Sequence, residues 1–339
     1  MSLPGTGLTT TDGLDLNEIL YGTVLPVINL YNREEVLPIR TMVTSDFTEQ
    51  YFKFDASGQW KFQKLGEGEK PRYRSQIWGR KQKDAVKYGL GIGYTYDWLI
   101  SQEGSSQEVA DKVRKAIERD RALESTVVLD AILTSGVDGF WNGAYGADEK
   151  MSTPPSFGNN TFTAAHTHYT ASGNTSLKLT DIVTAKAKNK EHGHKGPFIG
   201  LANGDTIADI ENLAGWAARS SAEFPVQNRV IDDVAIDGFS GRLLGVDWIE
   251  TEWVPNNYIA IISPNVPGEA RRPINFIQKA NASARGLVLL PGSFDPRYPI
   301  VDAWYAHWLA AQVIFRGAGH VTQFAASYTS PNVLAQTVE

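Results

Sequence analysis

Between Ser105 and Gly136 the sequence keeps helical spacing for about eight turns, far beyond the three or four of an ordinary globular helix. Val109, Val113, Ala116, Ile117, Leu123, Val127, Ala131 and Ile132 recur at steps of mostly three and four, which lays one apolar stripe along the helix. Ser105 or Ser106 stands where a side-chain oxygen can cap the first turn, and Glu108 follows where the helix dipole favours an anion. The pairs Glu108–Lys112 and Asp111–Lys115 are spaced for the solvated side. With Gly136 as the C-terminal cap, the rod is roughly 40 Å long. Such a strut must have other elements packed along its length.

The segments before it divide by charge. Residues 1–50 hold Asp12, Asp15, Glu18, Glu34, Glu35, Asp46 and Glu49 against only Arg33 and Arg40. The stretch opens Gly/Thr-rich, and Pro26 and Asn29 interrupt its apolar residues, so it is expected to lie on something else rather than fold alone. Residues 51–87 reverse the sign, with ten bases that include Lys61, Lys64, Lys70, Arg72 and Arg74 against four acids. Aromatic and basic residues alternate in Tyr51–Phe54 and Trp60–Phe62, and Gly66–Pro71 reads as a turn, which predicts a long basic hairpin. In Tyr88–Tyr94 three glycines alternate with Tyr, Leu and Ile, giving a strand with one bare face that another backbone can approach. The spacing is not that of a dinucleotide-binding glycine loop.

Beyond the strut, residues 136–176 are Gly-, Asn-, Thr- and Ser-rich and read as an irregular connection. Leu179–Asn189 is predicted helical, Pro197–Leu201 a short buried strand, and Asn203 or Asp205 the cap of a further helix. Ile274 to Phe324 reads as strands broken by prolines.

The search for chemistry excludes more than it finds. There is no cysteine, so disulfides, thiolate catalysis and cysteine-ligated metals are ruled out. No nucleophile elbow, zinc-protease helix or phosphate loop occurs. His166 and His168, and His192 and His194, form two close pairs, and on a strand the first pair would point to one face and could share a metal. A pair alone leaves a zinc site short of ligands, and neither Glu191 nor Asp148 is fixed nearby as a third, so polar loop or core histidines are the expectation. No catalytic, cofactor or metal residues are assigned, and no enzymatic role is expected beyond the alternative of a metal-dependent enzyme using His166/His168. The net charge of −6 argues against a DNA-coating protein but allows one that encloses DNA without gripping it. The start lacks the basic and apolar regions of a signal peptide, and no run approaches the ~20 apolar residues of a membrane span, which points to a cytoplasmic site of assembly.

Three passages add a family resemblance. Phe162–His166 is similar to an "LF-x-A-x-H" phrase, Phe198–Asn203 to a strand that leads into a helix, and Gly241–Ile249 to "G-x-L-x-G-x-P-V", with Asp247-Trp248 in place of the usual proline. In that succession the chain resembles the major capsid proteins of tailed bacteriophages with the Hong Kong 97-type fold. The resemblance implies an α+β chain with an extended N-terminal arm (1–50), an E-loop hairpin (51–87), and a peripheral domain that begins at 88–169 with a spine helix at 105–135. An axial domain (170–268) and the rest of the peripheral domain (269–339) would follow.

It also implies pentamers and hexamers that close into an icosahedral head around double-stranded DNA, bound without sequence specificity. The expected setting is a virion capsid assembled in the bacterial host cytoplasm. The short lead before the hairpin implies a separate scaffolding protein, beside a portal and, as in some members of the family, a decoration protein. No membrane is involved. Acidic Asp12, Asp15, Glu18, Glu34 and Glu35 and basic Lys61, Lys64, Lys70, Arg72 and Arg74 become candidates for inter-subunit contact, since oppositely charged segments on copies of one chain can pair. A nucleic-acid finger is the other reading of the hairpin, and an encapsulin-like nanocompartment the other reading of the shell.

Overall fold

A computed structural model describes residues 10, 12–32, 43–46, 51–55, 78–95, 98, 105–143, 154, 156–218, 239–266, 271–278, 286–291 and 300–338. Two sheets and one long helix dominate it. The spine helix is α3, Ser106–Leu133; before it lie α1 (Leu16–Ile19) and α2 (Leu25–Tyr31), and after it α4 (Leu179–Glu191) and α5 (Gly204–Glu211). Ser105 accepts from the Glu108 backbone N–H while the Glu108 carboxylate accepts from Ser105 N–H, so the predicted cap is a reciprocal capping box. The far end differs from the expectation. The helix stops at Leu133 with Thr134 extended (φ −78°, ψ 123°), and Gly136 lies in the turn beyond it.

The five-stranded sheet comprises β1 (Val43–Asp46), β4 (Val86–Thr95), β11 (Ile274–Gln278), β12 (Val288–Pro291) and β13 (Ile300–Val313). β13 is its organiser, pairing with β4, β11 and β12 in turn. β2 (Tyr51–Asp55) and β3 (Trp78–Gln82) pair antiparallel as a two-stranded ladder, with Tyr51 opposite Gln82 and Asp55 opposite Trp78. Residues 56–77, the span in which the hairpin's basic candidates sit, lie outside the described residues.

The seven-stranded sheet runs β5 (Tyr169–Ala171), β14 (Gly319–Gln323), β10 (Tyr258–Ile262), β6 (Phe198–Ala202), β9 (Val246–Glu250), β8 (Phe239–Leu243) and β7 (Ala217–Ala218). The chain thus returns to this sheet through β14 after building β11–β13 elsewhere. β8 and β9 are joined through Leu244 (φ 53°) and Gly245 (φ 73°), the paired positive angles of a tight hairpin turn whose twist matches its strands. Asp247, where the family phrase has proline, is buried and receives Arg242 across that hairpin, Nε to Oδ1 at 2.5 Å and Nη2 to Oδ2 at 3.0 Å. Trp248 beside it is wholly buried and lies against Gly200 of β6, its partner in register. A Cβ on Gly200 would sit 2.5 Å from Trp248 Cε3, in a sheet interior without room to shift. Gly200→Ala is therefore expected to destabilise the protein by about 1–3 kcal/mol, read as a lower urea midpoint with unchanged slope.

One core joins the two sheets. Leu129, Ile132 and Leu133 of α3 meet Ile274, Phe276 and Leu309 of the first sheet and Ile199, Ala260 and Ile262 of the second. At this end the stripe read from the sequence is the hub of the fold.

Candidate functional site

Within the N-terminal segment, Leu16–Tyr31 is helical rather than extended, and Val43–Asp46 is the strand β1. Pro26, which cannot donate a backbone hydrogen bond, follows a π-helical turn at Leu20–Val24, and the widened turn lets α1 and α2 run on as one rod. Leu16, Leu20, Val24 and Ile28 bury themselves against Val109 and Val113 of α3 and against Leu289 and Tyr305 of the first sheet. The first half of the spine helix thus holds the arm, and the second half holds the main core. Asp12, one of the acidic contact candidates, accepts from Ser106 N–H at 3.1 Å and from the Ser106 hydroxyl. It neutralises the positive end of the spine helix within its own subunit. Asp15 is half-buried and Glu18 exposed. Glu34, Glu35, Lys61, Lys64, Lys70, Arg72 and Arg74 lie outside the described residues.

Where the arm crosses the middle of the spine helix, the apolar packing gives way to a buried polar junction. Asp120 accepts from the Tyr31 hydroxyl of α2 at 2.8 Å and from His307 Nδ1 of β13 at 2.9 Å. His307 Nε2 accepts from Gln278 Nε2 of β11 at 3.2 Å, and Glu124 stands 4.0 Å from His307 Nδ1. Burial holds the Glu124 carboxyl well above the usual carboxylate range, and the neighbouring Asp120 charge pushes it the same way. Burial raises the Tyr31 hydroxyl too, assisted by both carboxylates. Four elements meet here through side chains that have no solvent to fall back on. None of these five residues was a candidate from sequence, because Asp120 and Glu124 fall where a surface helix carries ordinary charges.

A second polar cluster unites histidines that the sequence left as separate pairs. His166, His168 and His192 stand with every Nε2–Nε2 distance at 3.0 Å. His166 and His168 lie in the connection just before β5, and His192 closes α4. His194 does not join them. His168 Nδ1 donates to the Gly319 carbonyl at 2.6 Å, and Phe162 stacks on the His192 ring at 4.2 Å. Burial pushes His192 down to about 3, with His166, His194 and Lys188 adding repulsion, and holds His168 far below the ordinary range. The third group is His192 and not Glu191, and Asp148 lies outside the described residues.

On the opposite face of the first sheet, Leu290, Trp304 and Gly91 stand in register across β12, β13 and β4. Trp304 is 52% exposed, and a Cβ on Gly91 would meet nothing within 4 Å. The bare glycine face expected from sequence is thus open within the described residues.

No protein-family model matches the sequence, and no curated protein matches it. Solved structures do. The chain is similar to one from Mycobacterium phage Patience, at 21% identity over 98% of both chains with a TM-score of 0.69. It is similar to the capsid of a native GTA particle, at 14% identity over 86% of this chain and 92% of that one, TM-score 0.52. An encapsulin complex from Synechococcus elongatus PCC 7942 matches at 13% identity over 87% and 90%, TM-score 0.52. At these identities the likeness is one of fold, and the chain has the α+β, Hong Kong 97-type fold that phage capsids and encapsulins share.

Proposed function

We propose that the chain is the major capsid protein of a tailed bacteriophage, a shell subunit with no catalytic role. The observation that carries this reading is the likeness to the phage Patience chain over 98% of both chains, more complete than the likeness to the encapsulin. Copies assemble as pentamers and hexamers into an icosahedral head that encloses double-stranded DNA without sequence-specific contacts, built in the host cytoplasm with a separate scaffolding protein and a portal. The net charge of −6 suits a container wall that must release its DNA. Between subunits, the acidic arm (Asp15, Glu18, Glu34, Glu35) pairs with the basic hairpin (Lys61, Lys64, Lys70, Arg72, Arg74). Asp12, already engaged by Ser106, contributes less to that pairing. Single exposed ion pairs contribute only ~0–1 kcal/mol, so strength comes from their number in a closed shell.

The Leu290–Trp304 patch supplies an apolar contact of the kind that anchors interfaces. Negative-stain electron microscopy with sedimentation, run with and without a co-expressed scaffolding protein, tests the reading. Closed shells, or rings of five and six subunits, are expected. Trp304→Ala should cut the assembled fraction, at about 2 kcal/mol per contact, while leaving the subunit's own melting temperature unchanged. A wild-type protein that stays monomeric under every one of these conditions overturns the proposal. Nuclease-protected nucleic acid inside the shells separates a phage head from an encapsulin-like compartment.

A further inference from the structure

We propose that His166, His168 and His192 form a site for a divalent transition-metal ion of the zinc class, which ties the connection after the spine helix to the seven-stranded sheet. The geometry carries it. The three Nε2 atoms make an equilateral triangle of 3.0 Å sides. The ring centroids make a larger triangle around it, of 5.0, 5.0 and 4.9 Å. The rings therefore radiate outward, and all three nitrogens point at a common centre. Hydrogen bonding satisfies that arrangement poorly, because an N–H aimed at the centre lies about 30° off each edge and one such proton still leaves two lone pairs facing each other across the third. Three lone pairs aimed at one point are what a cation requires. At Zn–N distances of about 2.0–2.1 Å, the ion sits roughly 1 Å off the plane of the nitrogens and keeps a position open for water.

The surroundings fit ligation rather than a chance meeting of rings. His168 donates its Nδ1 hydrogen to the Gly319 carbonyl, which leaves Nε2 as the lone-pair nitrogen and fixes the ring, the usual outer partner of a metal-bound histidine. Phe162 lies against both His192 and His166, holding their planes. Gly317 makes room for His192: a Cβ there would lie 2.7 Å from His192 Cγ. Three imidazoles without a carboxylate or thiolate select borderline ions such as Zn²⁺, Ni²⁺ or Co²⁺ over Mg²⁺ and Ca²⁺. Its placement suggests its role. His166 and His168 end a connection rich in glycine and asparagine, His192 ends α4, and Gly319 begins β14, so one ion would tie three segments together at this corner. The site does not depend on whether the chain builds shells.

The test uses the full chain, stripped with chelator and then titrated with Zn²⁺ or Co²⁺. One ion per subunit is expected, with Co²⁺ giving visible d–d absorption of nitrogen ligation. A hundredfold excess of Zn²⁺ over its dissociation constant should raise the melting temperature by about 4 °C. His166→Ala, which removes the most exposed of the three, should weaken binding at least tenfold. Failure of the unaltered protein to bind, or to shift its melting temperature, overturns the proposal, as does equal binding by His166→Ala. The Co²⁺ spectrum and the melting shift are read on the unaltered chain, so neither depends on how well the variant folds.

Discussion

Acidifying the chelator-treated protein from pH 7.5 to pH 5 is expected to remove about 4 kcal/mol of stability through His192 and His320 alone. Both rings are pushed down to about 3 in the folded state, chiefly by burial. His320 is fully buried on β14, its Nε2 hydrogen-bonded with the Thr170 hydroxyl at 2.9 Å. The charges that face the two rings, Lys188 and the neighbouring histidines, oppose protonation as well. The unfolded chain takes up these protons near 6.5, so below that pH it binds protons that the folded chain refuses, and stability falls with pH. One pH unit corresponds to about 1.4 kcal/mol for each such group, hence about 2 kcal/mol for each ring at pH 5. His168, also held low by burial, adds in the same direction. Urea unfolding at half-unit pH steps measures the slope. A stability that stays flat between pH 7 and pH 5 would show that these rings are protonated in the folded state, and the packing described around them would be wrong.

How much of this was legible in the sequence depends on the range of the interaction. The spine helix was legible because its signals are local: the stripe from Val109 to Ile132, and Ser105 with Glu108 three residues on. The β4 strand declared itself through the glycine alternation, and α5 through the Asn203 cap, which accepts from Thr206 N–H at 3.0 Å. Gly136 misled, because a glycine near a helix end is a good cap only if the chain turns left-handed there, and Thr134 leaves the helix first. The arm misled in the other direction. Pro26 reads as a breaker, yet a π-turn absorbs it, and burial against α3 and β12 stabilises a helix too short to persist alone. His192 was invisible as a partner of His166 because 26 residues separate them, and only the packing of α4 on β14 brings them together. The same holds for Asp120 and His307, 187 residues apart.

That last pair carries the other large effect. His307→Ala is expected to cost about 3–5 kcal/mol, because it removes the N–H that Asp120 accepts and opens a cavity where four elements meet. Among the described residues Asp120 would retain the hydrogen bond from the Tyr31 hydroxyl, with the largely buried Glu124 close by. His307→Asn, whose amide can reach where Nδ1 reached, should recover part of the loss, and His307→Gln should recover less. Chemical denaturation of the three variants at pH 7 decides it; an alanine variant within 1 kcal/mol of the parent would mean the junction is not a structural clasp. Glu124 supplies the companion experiment with the opposite sign. Its folded carboxyl holds a proton above the ordinary range, so its contribution is intact at pH 4 and is lost as pH rises toward the raised value. Glu124→Gln keeps the shape and discards the ionisation. The variant should match the parent near pH 4 and exceed it progressively at higher pH. A constant offset across that range would instead locate the effect in packing. Because Tyr31 belongs to the arm, Asp120 to the spine and His307 to the sheet, weakening this junction loosens the arm from the two elements that hold it. Limited proteolysis of His307→Ala should therefore cut before α3 sooner than in the parent, while the seven-stranded sheet stays protected.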